Sequence, residues 1–254
     1  MPALVDRQIC FRLADTLPAV SPVDPFRLGD AAAEALSELL QVFACGEESA
    51  ALAFAHLRSS ALEDAARQGL AQVADEELVH ERLLRGLRNA LPAPAPDREL
   101  RRALLRFYYG IAQADIGLHL ASIAALDSAV CMILAALLEP DRTLAREPAV
   151  AAILRRIHRD EAGHVRLSRR LAAAFARRDA IGAVAENARL GLVGVLARRG
   201  AAFENLGVNA ERLFARIARV PDGLFRWRAP PRRSGMTARR FAFSAPVQRS
   251  RAGQ

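Results

Sequence analysis

From Asp30 to about residue 218 the chain is written largely in alanine, leucine, glutamate and arginine, and it is interrupted where proline and glycine cluster. These are strong helix formers. Strand-type runs of valine, isoleucine and threonine are missing, and no two-residue hairpin turn separates alternating segments. The sequence therefore specifies an all-α protein, and its breaks set the helices. Asp30 is placed to cap a helix over 31–58, with Glu34 near the positive end of its dipole. A second helix spans 61–90 and stops at Pro92, Pro94 and Pro96. Asp97 opens a stretch to Leu138. Unbroken, that helix would be roughly 60 Å long at 1.5 Å per residue. A break is expected near Gly110 or Gly117, giving a short helix and then a core helix ended by Pro140. Pro148 opens the next helix, which runs to about Arg178, and two more are expected over 180–198 and 201–218.

Charge and cysteine usage narrow the function classes. All 36 basic residues are arginine, and the net charge is +8. Eight of those arginines lie between Pro221 and Gln254 beside one acid, Asp222, a net of +7 that leaves +1 for residues 1–220. The body is close to neutral, so nucleic-acid binding is not its signature. Three regions are expected: a proline-containing arm over 1–28, a helical domain over 29–220, and an Arg-rich, disordered tail over 221–254. Cys10, Cys45 and Cys131 form no Cys-x-x-Cys, which excludes a disulfide framework and cysteine-based zinc sites. Asp6, Arg7, Arg12 and Asp15 interrupt the start where a signal peptide would be apolar, so a reducing cytoplasm is expected. Leu118 to Leu138 is apolar apart from His119, Ser122, Asp127 and Ser128. A carboxylate at the centre of a membrane helix costs about 3 kcal/mol, so this segment reads as a core helix and no membrane span is expected.

Two motifs carry the chemistry. Glu77-Leu78-Val79-His80 and Glu161-Ala162-Gly163-His164 are both Glu-x-x-His on helical segments. That spacing puts carboxylate and imidazole on one face, where both can bind one metal ion. Each motif follows an acid, Glu76 or Asp160, placed to hydrogen-bond the far nitrogen of a ligand histidine on a facing helix. Steps of three and four residues through the motifs give the stripes Ala66, Leu70, Val73, Glu77, His80, Leu84, Leu87 and Val150, Leu154, Ile157, Glu161, His164, Ser168, Leu171. The same steps give Leu36, Leu40, Phe43, Glu47, Ala50, Phe54, Leu57 on the first helix and Ile116, Leu120, Ile123, Asp127, Val130, Leu134, Leu137 on the third core helix. Each stripe carries one acid at its middle, where an unpaired carboxylate is expensive. Glu48 takes the ligand position if the first helix is rotated by one residue, and the stripe favours Glu47.

This pattern, one acid, Glu-x-x-His, one acid, Glu-x-x-His over four helices, resembles the ferritin-like di-iron carboxylate superfamily across residues 31–178. The resemblance implies a four-helix bundle with one long crossover, here 91–115, and extra C-terminal helices. It implies two iron ions, or manganese or a mixed pair, held by Glu47, Glu77, His80, Asp127, Glu161 and His164. Glu77 and Asp127 or Glu161 would bridge or chelate, and each histidine would bind one metal. Asp127 is one methylene shorter than the commoner glutamate. His119, on the edge of the inner stripe, is a further ligand, a partner of one, or an ordinary buried histidine. Ala50, Ala51, Ala124, Ala162 and Gly163 would leave space beside the metals, walled by Phe43, Phe54, Ile123 and Val130. Tyr108 and Tyr109 fall in the crossover, away from the first carboxylate.

The chemistry implied is activation of dioxygen to oxidise or hydroxylate a small apolar or aromatic substrate, with electrons from an external donor and the chain alone or as a homodimer. Two other classes remain open: a ferroxidase or iron-handling protein, and a metal-free helical interaction protein.

Overall fold

The computed structural model describes residues 25–59, 63–93 and 97–225, and they contain helices and no strands. The expected N-terminal arm up to 24 and the tail from 226 lie outside the described residues. A single turn, α1 (Pro25–Leu28), precedes α2 (Asp30–Arg58), α3 (Asp64–Asn89), α4 (Arg98–Ile111), α5 (Ile116–Leu137) and α6 (Pro148–Phe175). Then come α7 (Arg178–Leu196), α8 (Gly200–Asn205) and α9 (Ala210–Ala218).

The four long helices α2, α3, α5 and α6 share one apolar interior, and their directions follow from which halves meet. At one end, Leu36 and Leu40 of early α2 share a cluster with Leu84 and Leu87 of late α3, Ile133 and Leu137 of late α5, and Val150 and Leu154 of early α6. At the other, Phe54 and Leu57 join Ala66, Leu70, Leu120, Leu167 and Leu171. So α2 runs antiparallel to α3, α5 antiparallel to α6, and α3 and α5 run the same way. A parallel pair cannot be joined by a short turn. The chain returns along the bundle through α4, and α7 then packs beside α5, with α9 against α7.

The helix ends refine the expected boundaries. Gly29 with φ +71° is the N-cap of α2, and Asp30 is its first helical residue, not the cap. Asp97 accepts from the Leu100 amide at 2.8 Å, as expected of a cap. The break in the long stretch falls at 112–115, where Asp115 caps α5 by accepting from the Leu118 amide at 2.8 Å. Neither glycine makes it: Gly110 lies inside α4 and Gly117 inside α5. Gly117 serves a close approach, because a Cβ there would stand 2.2 Å from the Ala176 nitrogen at the end of α6. Backbone cannot move aside as a side-chain tip can. Gly117→Ala is expected to destabilise by about 2–3 kcal/mol, a loss of roughly 5–10 °C in Tm by thermal unfolding. The expected helix over 201–218 is broken by Gly207 at φ +81° into α8 and α9.

Two helical stretches, Ile116–Leu137 and Arg178–Asn205, are long and apolar enough to cross a membrane. The first is 72% buried inside the bundle, as its Asp127 requires, and the second is 39% buried. The second also carries Arg189, which is fully buried. Its guanidinium donates to the carbonyls of Ile217 at 2.5 Å and Ala125 at 3.1 Å and to Ser128 Oγ at 2.6 Å. It thereby ties α7 to α9 and α5. Burial lowers its pKa to about 10.

Candidate metal centre

All four mid-stripe acids, both histidines and both preceding acids are buried: Glu47, Glu76, Glu77, His80, Asp127, Asp160, Glu161 and His164. Antiparallel pairing within each helix pair, at matched height, brings four helix midpoints to one level. The His80 and His164 rings face each other with centroids 5.6 Å apart.

Carboxylate oxygens and imidazole nitrogens converge between the helices. His80 Nδ1 lies 3.2 Å from Glu47 Oε2, 3.4 Å from Glu77 Oε2 and 3.6 Å from Glu161 Oε1. His164 Nδ1 lies 3.0 Å from Glu77 Oε1 and 3.6 Å from the same Glu161 oxygen. Glu77 and Glu161 therefore stand between the histidines, with Glu47 on the His80 side. Asp127 feels the charges of Glu161, Glu77 and His164. Each Nε2 points away from the centre, His80 to Asp160 Oδ2 at 3.1 Å and His164 to Glu76 Oε2 at 2.8 Å. These carboxylates orient the rings so that Nδ1 faces inward. Gln72 Nε2 donates to Glu76 at 2.8 Å, and Arg156 lies 3.8 Å from Asp160.

Glu47, Glu77, His80 and Glu161 offer one ligand atom each, all within 4.8 Å of one another, and could hold a metal ion. The set carries unpaired atoms. Both Glu77 oxygens, Asp127 Oδ2 and His164 Nδ1 are buried without a hydrogen-bond partner. Glu77 Oε1 and His164 Nδ1 are close, at 3.0 Å, yet misaligned for a hydrogen bond. Two atoms aimed at a common third point behave this way. Adjacent ligands on an ion with bonds of about 2.1 Å at right angles sit about 3 Å apart. The charge balance agrees. Six buried acids surround two imidazoles, so even two protonated histidines leave a surplus of negative charge that cations would offset.

That surplus sets the titration. Burial opposes charge on both imidazoles, but the carboxylates override it. Asp160, Glu161, Glu47 and Glu77 hold His80 well above its ordinary pKa, and Glu77, Glu161 and Glu76 do so for His164. Burial, then Glu77, pushes Glu47 up; burial, then Glu161 and Glu77, pushes Asp127 up. Burial also resists ionisation of Glu77, but His164 and contacts with Glu47 and His80 hold it below the carboxylate range. A histidine raised on folding stabilises fully below its unfolded pKa, about 6.5, and loses that contribution as pH rises through the folded value. Raised Glu47 and Asp127 act in the same direction. Metal-free protein is therefore expected to lose Tm steadily above pH 6.5, and metal-loaded protein to resist that loss, because ligation requires the deprotonated forms. Thermal unfolding with and without chelator checks both slopes; a metal-free Tm that climbs with pH contradicts the electrostatic picture.

Beside the carboxylates, α2 and α5 part at a partly open cavity of about 100 Å³. Glu47, Glu77, Asp127 and Glu161 line it together with Phe43, Ile123 and Val130. Phe54 is not in this wall; its ring packs edge-on to His164 at 6.2 Å. Of the expected small residues only Ala50 lines it, joined by Gly46 and Ala53. Glu48 is exposed, so the one-residue rotation of the first helix is excluded. His119 reaches the cavity, and burial, with His56 nearby, lowers its pKa. Burial, then Glu161 and Asp127, raises the Cys131 thiol to about 12, which keeps it protonated.

Sequence reasoning missed the contribution of the other helices. Tyr108 and Ile111 on α4 and Leu192 and Leu196 on α7 line the cavity. The placement of Tyr108 away from the first carboxylate is corrected: its Oη lies 3.0 Å from where a Cβ would stand at Gly46, beside Glu47. The signal available was Gly46 itself, a glycine inside a helix interior where it costs about 1 kcal/mol. Tyr109 is 81% exposed. No family model, no curated protein and no solved structure matches the chain.

Proposed function

We propose that the chain is a ferritin-like four-helix bundle whose Glu47, Glu77, His80, Asp127, Glu161 and His164 hold two iron ions, or manganese in their place, for oxygen-dependent oxidation of a small apolar substrate. The observation that carries this reading is the set of orphaned ligand atoms, both oxygens of Glu77, Asp127 Oδ2 and His164 Nδ1, at one buried point. Hydrogen-bonded networks satisfy such atoms, and each exception calls for an explanation. The up-down, crossover, down-up order of α2, α3, α5 and α6 supports the family resemblance.

The protein's contribution is placement. Asp160 and Glu76 accept the Nε2–H of His80 and His164 and leave each Nδ1 lone pair for an ion. Glu77 and Glu161, between the histidines, would hold the ions together with Glu47 and Asp127. Two divalent ions would offset the charge of the four inner carboxylates, Glu47, Glu77, Asp127 and Glu161. When bound, the ion pair supplies electrons to dioxygen. The apolar side chains Phe43, Ile123, Val130 and Leu192 would limit the water beside that step. They are also a poor path for hydrated iron, which favours oxidation of an organic substrate over iron storage. Electrons would come from a separate cytoplasmic donor.

The test is oxygen uptake by Fe(II)-loaded protein. Anaerobic loading followed by admission of oxygen is expected to consume oxygen in one fast phase and to produce a near-ultraviolet band from oxidised iron. Loaded protein that consumes oxygen no faster than free Fe(II) would remove the oxidase reading and leave a metal-binding bundle.

A further inference from the structure

Three polar side chains of the cavity wall, Ser49, Tyr108 and His119, take no part in holding the ions. Tyr108 comes from the crossover helix and is the phenol of the cavity wall, which is otherwise apolar apart from the carboxylates, Ser49 and His119. Its hydroxyl lies against Gly46, where the missing Cβ makes room for it. Among the described residues it accepts from and donates to nothing. Burial, then Cys45, Glu47 and Asp127, raises its pKa, so it remains a donor throughout the working range. A phenol in an apolar wall with an unspent O–H is specific for a ligand that brings the acceptor.

The space suits a small ligand. A cavity of about 150 Å³ takes benzene; this one is about 100 Å³ and partly open, so a single small ring fits with part of it in the mouth. We propose that the cavity takes a molecule with a compact apolar body, near a five-membered ring in size, and one hydrogen-bond-accepting oxygen, a ketone or ether, which Tyr108 Oη–H holds beside Glu47. This rests on reading the cavity as the substrate space of the proposed centre. Tyr108 then selects oxygen-bearing substrates over plain hydrocarbons of equal shape and fixes which end faces the carboxylates.

The chain has only two tyrosines, which allows a direct test on metal-free full-length protein labelled with 3-fluorotyrosine. Cyclopentanone and cyclopentane serve as probes of matched shape. Cyclopentanone is expected to shift the Tyr108 fluorine resonance saturably and to leave that of exposed Tyr109 in place. Thermal-shift titration should show cyclopentanone binding about fivefold more weakly to Tyr108→Phe than to the wild type, the worth of one net hydrogen bond, with the affinity for cyclopentane unchanged. Tyr108→Phe also assigns the resonances. Gly46→Ala, whose Cβ would stand 3.0 Å from the hydroxyl and push it by a few tenths of an ångström, should weaken cyclopentanone in the same direction with both tyrosines present, and it carries the test if Tyr108→Phe fails to fold. Cyclopentanone affinity that survives both substitutions, an equal loss for cyclopentane, or binding of neither probe overturns the proposal. Because no metal is present, failure of the metal centre is read separately, by metal content.

Discussion

Loading the protein with two equivalents of Mn(II), or of Fe(II) without oxygen, is expected to raise its thermal midpoint by roughly 15–30 °C. At a free ion concentration 1,000 times the dissociation constant, each site adds about 4 kcal/mol. Two sites add about 8 kcal/mol, and a domain near 200 residues gains about 2–4 °C per kcal/mol. The effect is large because the metal-free interior is costly, with six buried acids against two imidazoles and four ligand atoms without partners. Differential scanning calorimetry with and without chelator measures it. A rise of no more than a few degrees would mean that the acids are satisfied as they stand.

The second large effect has opposite signs in two states. Asp127 is raised by burial and by its acidic neighbours, and its Oδ2 has no partner. In metal-free protein burial and the acidic neighbours oppose its ionised form, so with rising pH it costs stability whether it ionises or keeps its proton. Asp127→Asn keeps the shape and cannot ionise, so it should stabilise the metal-free protein at pH 8, a rise of roughly 3–6 °C in Tm. The same change removes an anionic ligand on the His164 side. It should weaken metal binding by roughly a hundredfold or more, at or above the top of the range for loss of an outer partner. A residue that harms stability and serves binding marks a functional site. Destabilisation of the metal-free protein by Asp127→Asn would instead make Asp127 a structural acid.

Much of this was legible in the residues because helical periodicity is a strong signal. The four stripes through Glu47, Glu77, Asp127 and Glu161 are buried except at Ala50, Ile116 and Val130, which are partly buried, since steps of three and four residues track one helix face. Glu76 and Asp160 were assigned to the histidines of facing helices, and the hydrogen bonds to His164 and His80 are there. What periodicity cannot supply is which surfaces meet. The distance of Tyr108 from Glu47 in sequence says nothing of how α4 lies over α2. Gly117 looks like a helix breaker in the sequence because the approach of Ala176 is a tertiary fact. The near-neutral body likewise concealed an uneven surface. Six arginines lie on α6, whose two acids, Asp160 and Glu161, both turn inward.

The account's central claim is that six side chains form one dinuclear centre with a histidine on each side. Anaerobic equilibrium dialysis against Fe(II), read as iron per folded chain, tests it most directly. Wild-type protein should bind two ions, His80→Ala and His164→Ala should each bind one tightly, and the double variant none, with helical circular dichroism retained throughout. A wild type that binds no iron, or a double variant that binds as much as the wild type, would contradict the centre and leave the buried acids as a polar core.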